Sequence, residues 1–241
     1  MRSRLTTWCL AAFAAIPGSG HAQASGTTTY RADWADVAAV TVSGVTALLP
    51  GLLKLPHGAP SCAPCDTTGL PAIDRWAVSQ HSSFAQTGSN VMLVGVGGLS
   101  AYLTTHDLAA REARGNLAVL ANSITWTSAT TQWLKVLVRR KRPVLYTSGA
   151  VAAAANPDNQ RSFPSGHTSV AFSIASAYLV MGRREHLPHY TRNSILLFAG
   201  AASVGALRVR GGSHFPTDVL GGAVLGTGVG WLVAVVHPHN P

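Results

Sequence analysis

The sequence predicts an all-α protein: a helical bundle of about six helices, associated with a membrane, with its chemistry gathered at one end. Two observations carry the fold class. Of 241 residues, 47% are hydrophobic and only 11% charged, where an ordinary soluble domain is about one-quarter charged. The apolar residues also gather in six stretches, about 35–53, 88–105, 116–138, 165–182, 193–208 and 215–236, separated by short polar connections. Long alternating patterns and paired hairpin signals are missing, so each stretch reads as helix rather than strand.

The chain opens like an export signal. Arg2 and Arg4 supply the positive start, and Trp8 to Ile16 is a short apolar run. Pro17 and Gly18 break it, and Ala22-Gln23-Ala24 matches a small-residue cleavage pattern, placing cleavage after Ala24. The alternative, an uncleaved first membrane helix, would need about 20 apolar residues. Residues 25–241 then read as one domain.

Cys9 would leave with the signal, which leaves Cys62-Ala63-Pro64-Cys65. In an exported protein this is most simply a small disulfide loop. A redox site would need a strand before it and a helix after it, and zinc would need two further ligands.

Among the six stretches, the last has the length and purity of a full membrane span, and the others are marginal. Arg111 and Arg114 precede the third stretch, and Arg183, Arg184 and Arg192 lie between the fourth and fifth. Both connections fall on one side of an up-and-down bundle, as the positive-inside rule favours. The connections after the third and fifth stretches then lie on the outer side, together with Cys62 and Cys65. One tension follows. A cleaved signal leaves the new N-terminus outside, whereas this topology starts the first stretch inside. Gly222, Gly226 and Gly230 repeat every four residues in the last stretch, giving one helical face without side chains for close packing.

Lys and Arg total 18 against 9 Asp and Glu, a net charge of +9. Such an excess favours anionic partners. Nucleic acid is the weaker reading, because the basic residues form no long tail and few aromatics lie among them. His57, His81, His106, His186, His189, His237 and His239 sit in connections or at the tail with no metal-ligand spacing. Trp126 and Trp133 read as packing or interfacial residues.

Three segments carry chemistry, and all fall at the outer end. In the first, Lys135 and Arg142 are seven residues apart, about two helical turns, so both can point the same way. Pro143 ends that segment. Taken alone it could be a basic membrane-flanking cluster, as Arg139, Arg140 and Lys141 are expected to be. The second is Ser162-Phe163-Pro164-Ser165-Gly166-His167-Thr168, opening the fourth stretch. A helix start there offers free N–H groups and a positive dipole end to an anion. Gly166 permits close backbone approach, and Ser165 is either a hydroxyl donor or a cap. In the third, Arg208 precedes His214, and Asp218 follows His214 by four residues. On a helical turn that carboxylate can take the proton of one imidazole nitrogen and leave the other free to attack.

Together these segments resemble the type-2 phosphatidic acid phosphatase superfamily, which also holds bacterial acid phosphatases and vanadium haloperoxidases. Its pattern of Lys, six residues, Arg-Pro; Pro-Ser-Gly-His; and Ser-Arg, five residues, His, three residues, Asp is matched in order and spacing. Leu207 stands where the family usually has Ser. The motifs occupy residues 135–218, and the N-terminal third carries no match. The resemblance implies a phosphate gripped by Lys135, Arg142 and Arg208 with help from Ser165 and Gly166. It implies His214 as nucleophile, Asp218 as its orienter, and His167 as acid and then base. It also implies hydrolysis without a metal or other cofactor.

Phosphoryl transfer is chiefly positioning plus positive charge around the equatorial oxygens. Three cations and a helix terminus can supply that, whereas a two-metal site needs bridging carboxylates. Asp218 is the one acid within the motifs, and Asp158 reads as nearby but unpaired. The expected partner is a phosphorylated lipid at the outer face of a bacterial inner membrane. The competing expectations are a soluble periplasmic acid phosphatase acting on small phosphate esters, a vanadium haloperoxidase, and a non-catalytic membrane anion-binding protein.

Overall fold

Six long helices form where the apolar stretches lie. They are α1 (Trp34–Leu52), α3 (Ser83–Leu103), α4 (Ala110–Val138), α6 (Gly166–Arg184), α7 (Tyr190–Arg210) and α8 (Pro216–Val236). Two single-turn helices, α2 (Ala72–Arg75) and α5 (Ala150–Ala153), lie in the connections. The structure is a computed structural model and describes residues 29–240; the signal segment 1–24 lies outside them.

Helix ends depart most from the apolar stretches where the first turn is polar. α3 starts at Ser83 because Ser82 caps it, accepting a hydrogen bond from Ala85 N at 3.2 Å. α1 starts after Asp33, which accepts from Ala35 N at 2.7 Å while its own N–H donates to Asp36. α4 ends at Arg139, whose φ of 52° turns the chain out of the helix.

α6 is the central helix, packed against α8, α7, α4 and α3, while α3 lies on α7 and α1 along α4. An apolar core of Val96, Val119, Leu120, Ile174, Tyr178, Met181 and Leu197 lies between the helices, and polar residues are sealed beside it. Many residues sealed between helices are small and polar: Thr127 donates to Ser173 Oγ at 2.8 Å, and Ser173 donates to the Ser123 carbonyl at 3.1 Å. Ser43 of α1 donates to Thr125 Oγ1 at 2.7 Å, and Trp133 Nε1 donates to the Thr46 carbonyl. Other large apolar side chains face outward, among them Trp34, Val42 and Leu48 on α1, Val91 and Val94 on α3, and Val224 and Trp231 on α8. Small polar contacts inside and an apolar exterior suit lipid as the surrounding medium. Among the described residues, α1 and α8 are the helices long and apolar enough to cross a membrane.

The glycine repeat sets the α6–α8 approach. A Cβ at Gly226 would lie 2.0 Å from the Ser169 carbonyl oxygen, and one at Gly230 would lie 2.2 Å from that of Ser173. At Gly228, on another face, nothing lies within 4 Å. Gly226→Ala is therefore expected to destabilise by about 1–3 kcal/mol or more through overpacking. Gly228→Ala is expected to leave the melting temperature unchanged or raise it, since alanine favours helix by roughly 0.5–1 kcal/mol. Thermal unfolding of the two variants checks this.

The helices alternate in direction, so the α4 C-terminus, the α6 N-terminus, the α7 C-terminus and the α8 N-terminus share one end. Cys62 and Cys65 are joined as a disulfide near that end, and Cys65 N–H donates to the Leu145 carbonyl at 2.8 Å. At the opposite end the first and last described residues meet. Thr29–Tyr30 pairs antiparallel with His239–Asn240, and Tyr30 Oη donates to the Ala234 carbonyl at 2.9 Å.

Candidate active site

Lys135 lies one turn before the end of α4 and is buried, and Gly166 opens α6 beside it. A methyl group built on Gly166 would sit 3.6 Å from Lys135 Nζ, so the missing side chain keeps open the space in front of the ammonium. No side chain caps α6, which leaves the first-turn N–H groups to an anion. Ser165 differs from expectation. It is fully buried, its hydroxyl lies 2.9 Å from Thr168 Oγ1, and its N–H donates to the Asp218 carbonyl at 2.9 Å. It ties α6 to α8, and its hydroxyl is engaged within the bundle by Thr168.

Arg208 lies in the last turn of α7 and reaches Ser89 Oγ of α3 at 3.3 Å. Among the described residues, neither Lys135 nor Arg208 pairs with a carboxylate. Arg142 is held differently. Its Nε donates to the Asp158 carbonyl at 3.0 Å, and its Nη2 lies 2.6 Å from Asp158 Oδ2. Asp158, expected to be unpaired, thus fixes the Arg142 fork and also lies 3.8 Å from Arg161. Arg161 in turn donates to Gln132. The charges of Arg142, Arg161 and Arg208 all act on Lys135.

His214 sits in the turn between α7 and α8 and is only 1% exposed. Burial pushes its imidazole well below the ordinary histidine range, with the charges of Arg142 and Lys135 adding to this and Asp218 opposing it. The ring is therefore neutral near pH 7. His214 Nδ1 lies 3.6 Å from Asp218 Oδ2, an ion-pair distance longer than a hydrogen bond, and Nδ1 has no other partner. Nδ1 is thus the nitrogen on the Asp218 side, and Nε2 the one turned from it. His167, second residue of α6, lies under the charges of Arg208, Lys135 and Arg142. Its Nε2 is 2.8 Å from Asn90 Oδ1 of α3. An amide oxygen only accepts, so in this arrangement the proton sits on Nε2.

Asp218 is fully buried and densely bonded. Oδ2 accepts from Ser162 Oγ at 2.5 Å and from Phe215 N–H at 2.9 Å, and Oδ1 accepts from Arg140 Nη1 at 2.6 Å. Arg140 is the main correction to the sequence reading. It does not lie in a headgroup-facing basic patch. It turns inward, 4.6 Å over the Phe215 ring, and bridges Asp218 to Asp74, which accepts from its Nη2 at 2.7 Å. The left-handed turn at Arg139 causes this, since a helix continued past Val138 would aim Arg140 elsewhere. Sequence reasoning placed Ser162 in the second segment without a role and missed Ser89, Asn90, Arg161 and Asp74, none of which has a spacing that signals chemistry.

The eight residues expected to act together thus converge at one end of the bundle. Lys135, Arg142 and Arg208 gather near Gly166, His214 and His167 lie under that positive field, and Asp218 and Ser165 join the two helix starts. Among the described residues, no three His, Cys, Asp or Glu side chains gather to hold a metal ion.

The family model of the PAP2 superfamily matches residues 116–241, just over half of the chain. The chain belongs to the PAP2 superfamily. All three motifs fall within the match, whereas Asp74, Ser89 and Asn90 precede it. The chain is also similar to the decaprenylphosphoryl-5-phosphoribose phosphatase of two strains of Mycobacterium tuberculosis. Identity to each is 37% over 100 residues, covering 42% of this chain and 49% of the relative. The chain spans about half the length of the curated relatives it matches.

Proposed function

We propose that this PAP2 protein is a phosphatase that hydrolyses a lipid-borne phosphate ester through a phosphohistidine on His214, without a metal. The observation that carries the reading is the pair of carboxylate-free cations, Lys135 and Arg208, gathered with an uncapped helix N-terminus beside the His214–Asp218 pair. Such a cradle matches the spread negative charge of a phosphoryl group in transit.

In the first step the Nε2 lone pair of His214 forms a bond to phosphorus, and the bond from phosphorus to the ester oxygen breaks. His167 acts as the imidazolium: Asn90 holds its Nε2–H, and its Nδ1 proton passes to that oxygen, which leaves as the alcohol. In the second step His167 takes a proton from water, the water oxygen bonds to phosphorus, and the P–N bond breaks to release inorganic phosphate. Asp218 balances the positive imidazole between the steps.

The apolar exterior of α1 and α8 supports a substrate delivered from a lipid phase, and the Mycobacterium relatives are named for a lipid-linked phosphate. The disulfide near the active-site end supports an oxidising, outer location for the chemistry.

A phosphate-release screen of detergent-solubilised protein across lipid and soluble monoesters tests the reading. Turnover of a lipid phosphate that persists in excess EDTA and is blocked by orthovanadate, an oxyanion that fills the same cradle, is the expected result. Loss of activity in EDTA, restored by magnesium or zinc, would refute the metal-free mechanism.

A further inference from the structure

Asp74 lies in the single-turn helix α2, outside the family match and far in sequence from every motif, yet it is 0% exposed. Burying a carboxylate completely is costly unless its acceptor sites are filled. Here they are. Oδ1 accepts from Thr217 N–H at 3.0 Å, and Oδ2 accepts from Thr217 Oγ1 at 2.6 Å and from Arg140 Nη2 at 2.7 Å. Thr217 is the second residue of α8, so Asp74 satisfies a first-turn N–H that the helix itself leaves open, in a helix with no side-chain cap of its own at Phe215. Asp218 is the next residue.

Two buried carboxylates therefore share one guanidinium, Asp74 on Nη2 and Asp218 on Nη1. Were Asp74 uncharged, Arg140 would face Asp218 alone and cancel its charge. With Asp74 present the trio carries one negative charge in excess, next to the ring that becomes positive when it bonds to phosphorus. We infer that Asp74 is a positioning residue for the phosphotransfer step: it anchors Arg140 and the first turn of α8 so that Asp218 stays both fixed and effectively anionic toward His214. The inference rests on the reading of His214 as nucleophile. It assigns a role in that reaction to the N-terminal third of the chain.

The test compares Asp74→Asn and Asp74→Glu with wild type in kcat, KM and inhibition by inorganic phosphate. Asp74→Asn keeps the size of the side chain and removes its charge. Its kcat is expected to fall by about 10- to 100-fold, the cost of a misplaced or undercharged partner. KM and the inhibition constant for inorganic phosphate should stay within about twofold, because Lys135, Arg142 and Arg208 still hold the anion. A loosened fold would weaken phosphate binding along with turnover, so parallel loss of both overturns the inference, as does an unchanged kcat. Asp74→Glu restores the charge and should recover kcat to within about fivefold of wild type. A glutamate variant as slow as His214→Ala overturns the inference, and it decides the matter if the asparagine variant does not fold. His214→Ala separates the two layers: turnover surviving in that variant refutes the nucleophile itself, whatever Asp74 does.

Discussion

His214→Ala is expected to abolish phosphate release from every substrate, whereas His167→Ala should lose activity in proportion to how poorly the leaving group departs. The two rings sit under the same positive field, but they are assigned different work. Without His214 no nitrogen is placed to bond phosphorus, so the chemistry of the departing oxygen is irrelevant. His167 first donates a proton to that oxygen, a contribution of about 10²–10⁴-fold for an alkoxide. A p-nitrophenolate departs with little protonation, so for that substrate the first step should survive much of the loss. The second step still needs a base for water. Phosphohistidine should therefore accumulate in His167→Ala, recognised as acid-labile, base-stable phosphate on the peptide carrying His214. Label on His167 in the His214→Ala variant would reverse the two assignments.

How much of this was legible in the sequence depends on what each feature needed. The six helices were legible because apolar runs of this length between polar connections have few other solutions. The two single-turn helices and the two-residue strands at the extremities were not, being too short to carry a period. Gly222, Gly226 and Gly230 announced a bare face, and the structure lays that face against the α6 backbone at Ser165, Ser169 and Ser173. Lys135, Arg142, Arg208, His167, His214 and Asp218 were legible because each has a fixed distance to a neighbour in the chain. Asp74, Ser89 and Asn90 serve the same end of the bundle from segments whose only relation to the motifs is three-dimensional.

The fold also sharpens the tension over the chain's start. Thr29 and Tyr30 lie beside the α8 C-terminus, at the end opposite His214. If the bundle spans a membrane with its disulfide-bearing end outside, these residues face inside. Cleavage after Ala24 would leave Ser25 outside, and the few residues from there to Thr29 reach at most about 15 Å, half of a hydrocarbon core about 30 Å thick. Cleavage after Ala24 and a spanning bundle in this orientation exclude each other. The mass of the mature protein distinguishes the two.

Arg140→Ala should be the most damaging substitution that touches neither phosphate nor nucleophile. The guanidinium is the ionic partner of both Asp74 and Asp218, each 0% exposed. Breaking a buried pair by removing one partner costs roughly 3–5 kcal/mol, because the charge left behind is neither solvated nor matched. In a chain of this size that is a fall of about 10 °C in melting temperature. Turnover in the folded fraction should also drop, by on the order of a hundredfold, because Asp218 loses the bond that fixes Oδ1 and a shift of about 1 Å is enough for such a loss. Arg139→Ala is the control. Its exposed side chain reaches only the His57 carbonyl, at 3.0 Å, and its removal should change stability by less than about 0.5 kcal/mol. Arg140→Lys separates charge from shape. An ammonium restores one positive charge but cannot present two parallel N–H groups to two carboxylates. Its melting temperature should recover further than its turnover. Wild-type melting and turnover in Arg140→Ala would mean that the bridge from Asp74 through Arg140 to Asp218 does not hold the site.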